Sequence, residues 1–181
     1  MKKIIFIPGW MNTLETYRKY EGVEIWKNIK NNEMPDFDFL IAHSMGTLFA
    51  LKNYKPRKNQ KIILVNPLIP KRNIINWFFR WIKFHQKEGL SEKQKIVLNP
   101  ILVIVGIYRC VKLLALDFSK IFSLIPKNNL VILRGKNDYF FCDNLAVEFA
   151  RLKNIQMIEI ENVGHNWNET YDQEIQKLIG E

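Results

Sequence analysis

The strongest constraint on how this chain folds is a repeated pairing: a short unbroken apolar run, then a turn residue, then helical spacing. Ile4-Ile5-Phe6-Ile7 runs into Pro8-Gly9, Ile62-Ile63-Leu64-Val65 into Asn66-Pro67, and Leu130-Val131-Ile132-Leu133 towards Gly135. Such runs suit strands buried on both faces. The pattern predicts strands over Lys3 to Pro8, Phe37 to Ala42, Lys61 to Asn66, Leu130 to Arg134 and Ile155 to Ile160. Glu24-Ile25-Trp26 offers one more short strand. Helices are expected from Gly46 to Tyr54, stopping before Pro56, from a cap at Asp143 to Leu152, and from Asn168 to Ile179. Strand, loop and helix in alternation predict an α/β fold. It should have a mostly parallel sheet of five or six strands, with helices on both faces.

The alternation breaks between Ile69 and Pro126. In Asn73 to His85, Asn73, Asn76, Arg80 and Lys83 recur at helical spacing, and the residues between them are large and apolar. This predicts a helix with a narrow polar stripe and a wide apolar face. A second helix is expected from a cap at Asn99, with Pro100 in its first turn, through Leu116. Residues 1–68 and 127–181 then form a core, and 69–126 a helical cap inserted in the same domain. The apolar stretch Leu98 to Leu116 approaches the roughly 20 residues of a membrane span. Arg109 and Lys112 lie inside it, each costing on the order of 2.5–3.5 kcal/mol near a helix centre. A packed or interfacial helix is the expected outcome.

Length and composition suit one globular domain: 181 residues, 48% hydrophobic and 25% charged. Two cysteines, Cys110 and Cys142, do not suggest a disulfide framework. Met1-Lys2-Lys3 resembles the start of a signal peptide, but the apolar run after it ends at Pro8 and is too short for one. A cytoplasmic location is the expectation. The net charge of +9 is concentrated: residues 52–95 hold twelve Lys/Arg against Glu88 and Glu92. A basic face of this kind attracts anionic lipid, nucleic acid or an acidic protein, or is simply a solvated lysine-rich surface.

Ala42-His43-Ser44-Met45-Gly46 stands between a buried strand and a helix. A serine on so tight a turn needs small residues two before and two after it, and alanine and glycine meet that need. A serine merely capping a helix is the plain alternative. Asp138 follows a late strand in Arg134-Gly135-Lys136-Asn137-Asp138, and His165 follows the last strand in Val163-Gly164-His165-Asn166-Trp167. Ser44, Asp138 and His165 are the expected catalytic residues.

These motifs resemble the α/β-hydrolase superfamily. Its nucleophile elbow is G-x-S-x-G and its chain order is Ser, Asp/Glu, His. Ala42 replaces the first glycine of that pattern. The resemblance implies nucleophile, orienting acid and base roles for Ser44, Asp138 and His165. It also implies an oxyanion hole from the backbone N–H groups of Met45 and, in the loop after the first strand, Trp10. Pro8 stands where that loop commonly carries a histidine. Small cytosolic hydrolases of the retinoblastoma-binding-protein-9 type share the chain's size and its Ala-His-Ser elbow. Short esterases of pimeloyl-acyl-carrier-protein methyl ester share the Gly9-Trp10 loop and a basic cap. Both remain open, and a carboxylesterase covers both.

The expected activity is therefore a serine hydrolase acting on an ester or thioester of a hydrophobic acyl group. The substrate is a small-molecule or carrier-linked acyl group, with Trp77, Phe78 and Trp81 as candidate contacts. An acidic carrier protein and a membrane surface are candidate partners for the basic cap. Two readings from other classes stand beside this one: a non-catalytic binding module of the same fold, and a surface binder acting through the basic segment. Nucleic acid is not expected, because Trp77 and Trp81 fall on the apolar helix face. There is neither a Gly-rich phosphate loop nor a Cys/His ligand cluster, so no cofactor or metal is expected.

Overall fold

Each apolar run becomes one strand of a single parallel sheet. The computed structural model describes residues 2–10, 12, 14–17, 20–23, 25, 34–56, 59–88 and 100–180. Among them the strands are β1 (Ile4–Ile7), β2 (Phe39–His43), β3 (Lys61–Val65), β4 (Leu130–Gly135) and β5 (Gln156–Ile160). They lie side by side in chain order, all parallel. The helices are α1 (Met45–Asn53), α2 (Ile74–Glu88), α3 (Pro100–Leu114), α4 (Ser119–Leu124), α5 (Asn144–Lys153) and α6 (Glu169–Gly180). Of the further short strand expected at Glu24-Ile25-Trp26, only Ile25 is described. It is a buried turn residue, and nearby Gly22 forms a parallel bridge to Phe6. The expected cap at Asn99 lies outside the described residues.

Strand residues alternate faces, and each face gathers its own core. Ile5, Ile7, Leu40, Ala42, Ile62 and Leu64 point to one side, under α1 to α5. Phe6, Ile41, Ile63, Val65 and Leu133 point to the other, where α6 supplies Tyr171, Ile175 and Ile179. Among the described residues, helices thus cover both faces, five on one and one on the other. From the stretch expected as an insertion, Trp77, Phe84, Cys110, Leu113 and Phe122 join the first core.

Helix ends follow the residues that make them. Asp143 caps α5 by accepting from the Leu145 N–H, and Asn154 closes that helix in the left-handed conformation at φ 51°. The Asp143 carboxylate also binds Arg72, and Arg80 Nη1 at 2.8 Å, which ties α2 to the start of α5. No helix among the described residues is long and apolar enough to cross a membrane.

Candidate active site

Parallel strands in this order bring four loops to one edge of the sheet, beyond the strand C-termini. Loops at that edge commonly form the ligand site of such sheets. They carry Gly9-Trp10 after β1, Ser44 after β2, Asp138 after β4 and His165 after β5.

Ser44 occupies the turn between β2 and α1 with φ 51° and ψ −125°, a strained backbone for a residue with a side chain. Its N–H donates to Val65 O at 2.9 Å, so the β2–β3 ladder holds the turn in place. The turn also needs Gly46: a Cβ there would lie 2.5 Å from Pro8 O and 2.7 Å from Ile7 O. Ala42 is fully buried, and its methyl packs on one face of the sheet in register with Ile7 and Leu64.

His165 Nε2 lies 2.8 Å from Ser44 Oγ, and His165 Nδ1 lies 2.6 Å from Asp138 Oδ2. A carboxylate only accepts, so Nδ1 carries the proton and Nε2 is free to accept from the serine hydroxyl. Asp138 is fully buried. Burial opposes its ionisation. The His165 ring and the N–H groups of Phe141 (3.0 Å) and Cys142 (3.1 Å) outweigh that cost and hold the carboxyl below its usual range. Phe141 packs against the imidazole at 4.5 Å between ring centroids, and Phe84 of α2 meets it edge-on at 5.4 Å.

The sequence pattern did not reveal a second layer of residues that fixes this arrangement. His43 Nε2 faces the His165 carbonyl at 3.0 Å, and its Nδ1 lies 2.7 Å from Tyr17 Oη. The carbonyl can only accept, so the His43 proton sits on Nε2 and Nδ1 accepts from Tyr17. Tyr17 Oη in turn accepts from the Gly9 N–H at 3.3 Å. One chain of hydrogen bonds therefore joins the loop after β1, the elbow and the loop after β5. Burial, and next the neighbouring His165 ring, push the His43 pKa down to about 3, so its neutral form prevails. Asn66, at φ 45° just past β3, completes the frame. Its Nδ2 reaches His165 O at 3.0 Å and Tyr171 Oη at 2.6 Å, while its Oδ1 accepts from Gly135 N at 2.8 Å. An asparagine closing an apolar run at a strand's C-terminal edge was the only hint of this role in the sequence.

The pocket at Ser44 is small, about 50 Å³, and Trp10, Met45, Trp81, Phe84 and His165 are among its walls. A more apolar cavity of about 140 Å³ adjoins it, sharing Trp10, Met45, Leu68, Trp81 and Phe141. The two expected oxyanion donors, Trp10 and Met45, thus stand in the same pocket as Ser44. The three expected substrate contacts separate. Trp81 lines both spaces and stacks on Trp10 at 5.4 Å. Trp77 and Phe78 line only the apolar cavity, Trp77 buried in the core and Phe78 half exposed at the rim. The two thiols are poor rivals to Ser44: Cys110 and Cys142 are buried, and burial pushes both well above their usual range. Among the described residues, no three His, Cys, Asp or Glu side chains are grouped to hold a metal ion.

No model of a protein family matches the sequence. A search of curated proteins finds no match either. Solved structures do match. A carboxylesterase of the ammonia-oxidizing thaumarchaeon Nitrososphaera gargenis aligns over 97% of this chain and 89% of its own, with TM-score 0.64 and 12% identity. E-2-(acetamidomethylene)succinate hydrolase aligns over 98% of this chain and 90% of its own, with TM-score 0.65 and 10% identity. BioG from Haemophilus influenzae aligns over 90% and 87%, with TM-score 0.61 and 15% identity. At such identities the likeness is one of architecture, and it shows that this chain has a reduced α/β-hydrolase fold.

Proposed function

We infer that the protein is a serine hydrolase, a carboxylesterase in the broad sense, that cleaves an ester or thioester of a hydrophobic acyl group through an acyl-enzyme. One observation carries this reading: the unbroken chain Ser44 Oγ, His165 Nε2, His165 Nδ1, Asp138 Oδ2, at 2.8 and 2.6 Å. Ser44 Oγ attacks the carbonyl carbon as its proton passes to His165 Nε2. The carbonyl oxygen takes up the negative charge, facing the Trp10 and Met45 N–H groups. Asp138 stabilises the imidazolium without taking its proton. The tetrahedral species collapses, the C–O or C–S bond breaks, and His165 returns the proton to the leaving alcohol or thiol. Water then repeats the sequence on the Ser44 ester and frees the acid.

The apolar cavity beside Ser44 supports an acyl group as the part recognised. The esterases and hydrolases among its structural neighbours support the reaction class. The test is labelling with a fluorophosphonate probe, with the adduct located by mass spectrometry. Ser44 should be labelled in the wild type, and the adduct should vanish in Ser44→Ala and His165→Ala. A folded wild type that stays unlabelled would remove the reading and favour a non-catalytic module of the same fold.

A further inference from the structure

Helices α2 and α3 expose more large hydrophobic side chains than all the other described residues together. Of the thirteen large hydrophobic side chains exposed among the described residues, eight lie on these two helices. They are ordered. On α2, Ile75, Phe78 and Phe79 stand at i, i+3 and i+4, with half-buried Ile82 at i+7. On α3, Ile104, Ile107, Tyr108 and Val111 repeat the same spacing. Each set forms one stripe, on the side of its helix away from the residues that bury into the core, such as Trp77, Phe84, Cys110 and Leu113. Scattered exposed hydrophobics need no explanation, but two stripes at helical spacing bordering one cavity do.

The charge around the stripes points to what covers them. In the described parts of residues 69–126 there are eight Lys/Arg and only two acids, Glu88 and Asp117; two of the eight, Arg72 and Arg80, are paired with Asp143. Lys83 follows the α2 stripe around the helix, and Lys112 lies beside the α3 stripe with its ammonium 4.4 Å from the centre of the Tyr108 ring. An apolar stripe flanked by cations on aliphatic stems suits an interface between anionic headgroups and acyl chains. A folded acidic partner would instead need a shaped apolar socket for two convex helix faces.

The stripes also border the cavity next to the nucleophile. Ile74 and Phe78 of α2 and Ile107 and Val111 of α3 are exposed, yet line the same apolar space as Trp10, Met45 and Trp81. We propose that the α2–α3 face docks on an anionic membrane surface and turns the mouth of the Ser44 cavity towards acyl chains held there. The second half rests on the hydrolase reading. The docking half does not.

The test uses co-sedimentation with phosphatidylcholine vesicles, with and without phosphatidylglycerol. Ser44→Ala is run in parallel, so that binding is read independently of chemistry. Wild type and Ser44→Ala should both partition onto phosphatidylglycerol vesicles, and salt should weaken the binding. Phe79→Ser with Ile104→Ser, neither of which lines the Ser44 cavity, should lower partitioning by about tenfold or more. These two changes should leave fluorophosphonate labelling and hydrolysis of a short water-soluble ester unaltered. Lys83→Glu with Lys112→Glu should abolish the preference for phosphatidylglycerol. Failure of wild type to bind the anionic vesicles would overturn the proposal, as would binding indifferent to Phe79→Ser and Ile104→Ser. A dimer in solution that those substitutions dissociate, with no vesicle binding, would also overturn it and assign the face to a second copy. Absent labelling with intact vesicle binding would remove the hydrolase reading and leave the docking surface standing.

Discussion

His43 Nε2 donates to the main-chain carbonyl of His165 across 3.0 Å, so the residue beside the candidate nucleophile holds the backbone of the candidate base. That bond and the 2.7 Å contact with Tyr17 occupy both ring nitrogens of His43, which makes it a positioning residue that acts through the His165 backbone. His43→Phe keeps the aromatic volume and removes both hydrogen bonds. The expected result is a fall in kcat on the order of tenfold to a hundredfold with little change in KM, since small misplacements at a reacting centre cost about that much. His43→Gln can still donate to His165 O and should recover part of the loss. A purely structural role would lower stability without this split and without rescue.

The same burial sets a pH dependence of stability. The His43 pKa falls from about 6.5 to about 3 on folding, so the unfolded chain takes up a proton that the folded chain refuses. Stability from this group is fully present above about 6.5 and is lost as pH falls towards about 3. Within that window it contributes a slope of up to ~1.4 kcal/mol per pH unit. Asp138, held below its usual carboxylate range, loses its contribution only at the acid end of the window or below it. Urea denaturation at a series of pH values should show the slope, and His43→Gln should flatten it. An unchanged slope in the variant would assign it to other groups.

The sheet was legible because each strand carries its own signal: a short apolar run closed by Pro, Gly or Asn. Ser44, Asp138 and His165 were legible for the related reason that each follows one of those runs. The order of the strands, and the division of the described helices between the two faces, depend on contacts between distant segments. Asn66 and Tyr17 were missed on the same ground. Asn66 acts on His165, 99 positions away, and Tyr17 on His43, 26 away, with nothing local to mark either. The aromatic helix misled in another way. Its spacing shows a wide apolar face, but only tertiary packing divides Trp77 in the core from Trp81 at the pocket and Phe79 in the open.

Asp138→Asn should separate orientation from packing. The amide is nearly the same size, but its single oxygen cannot accept from His165 and from Phe140, Phe141 and Cys142 as the carboxylate does. Its NH₂ also favours the wrong imidazole tautomer. The expected loss in kcat is on the order of 10⁴-fold. The weakened loop should lower stability by ~1–3 kcal/mol. Steady-state kinetics and a denaturant midpoint measure the two effects. Full activity in the variant would deny Asp138 its role.

Gly46→Ala tests the steric requirement of the elbow. The added methyl would meet the Pro8 and Ile7 carbonyl oxygens at 2.5 and 2.7 Å, and both belong to backbone that cannot swing away as a side chain would. The expected cost is ~1–3 kcal/mol of stability, as for other overpacked sites. Labelling at Ser44 should fall with it, because relief requires β1 and the turn to separate. A variant of unchanged midpoint would mean that the turn has room the geometry does not show.

The apolar cavity can be filled without touching Ser44. Cys110 sits on α3, buried against that space and outside the Ser44 pocket. Cys110→Phe replaces a small side chain with one large enough to occupy much of the roughly 140 Å³. If the cavity receives the far end of the acyl chain, kcat/KM for a long-chain p-nitrophenyl ester should fall by about tenfold or more, since lost hydrophobic contact costs on the order of 1–3 kcal/mol. The acetyl ester, which does not reach that far, should keep its rate within about twofold. A parallel fall for both esters would point to general damage and is separated by the denaturant midpoint. Unchanged long-chain hydrolysis in a folded variant would place the acyl chain elsewhere, and the exposed rim formed by Phe78 and Ile107 would be the next position to fill.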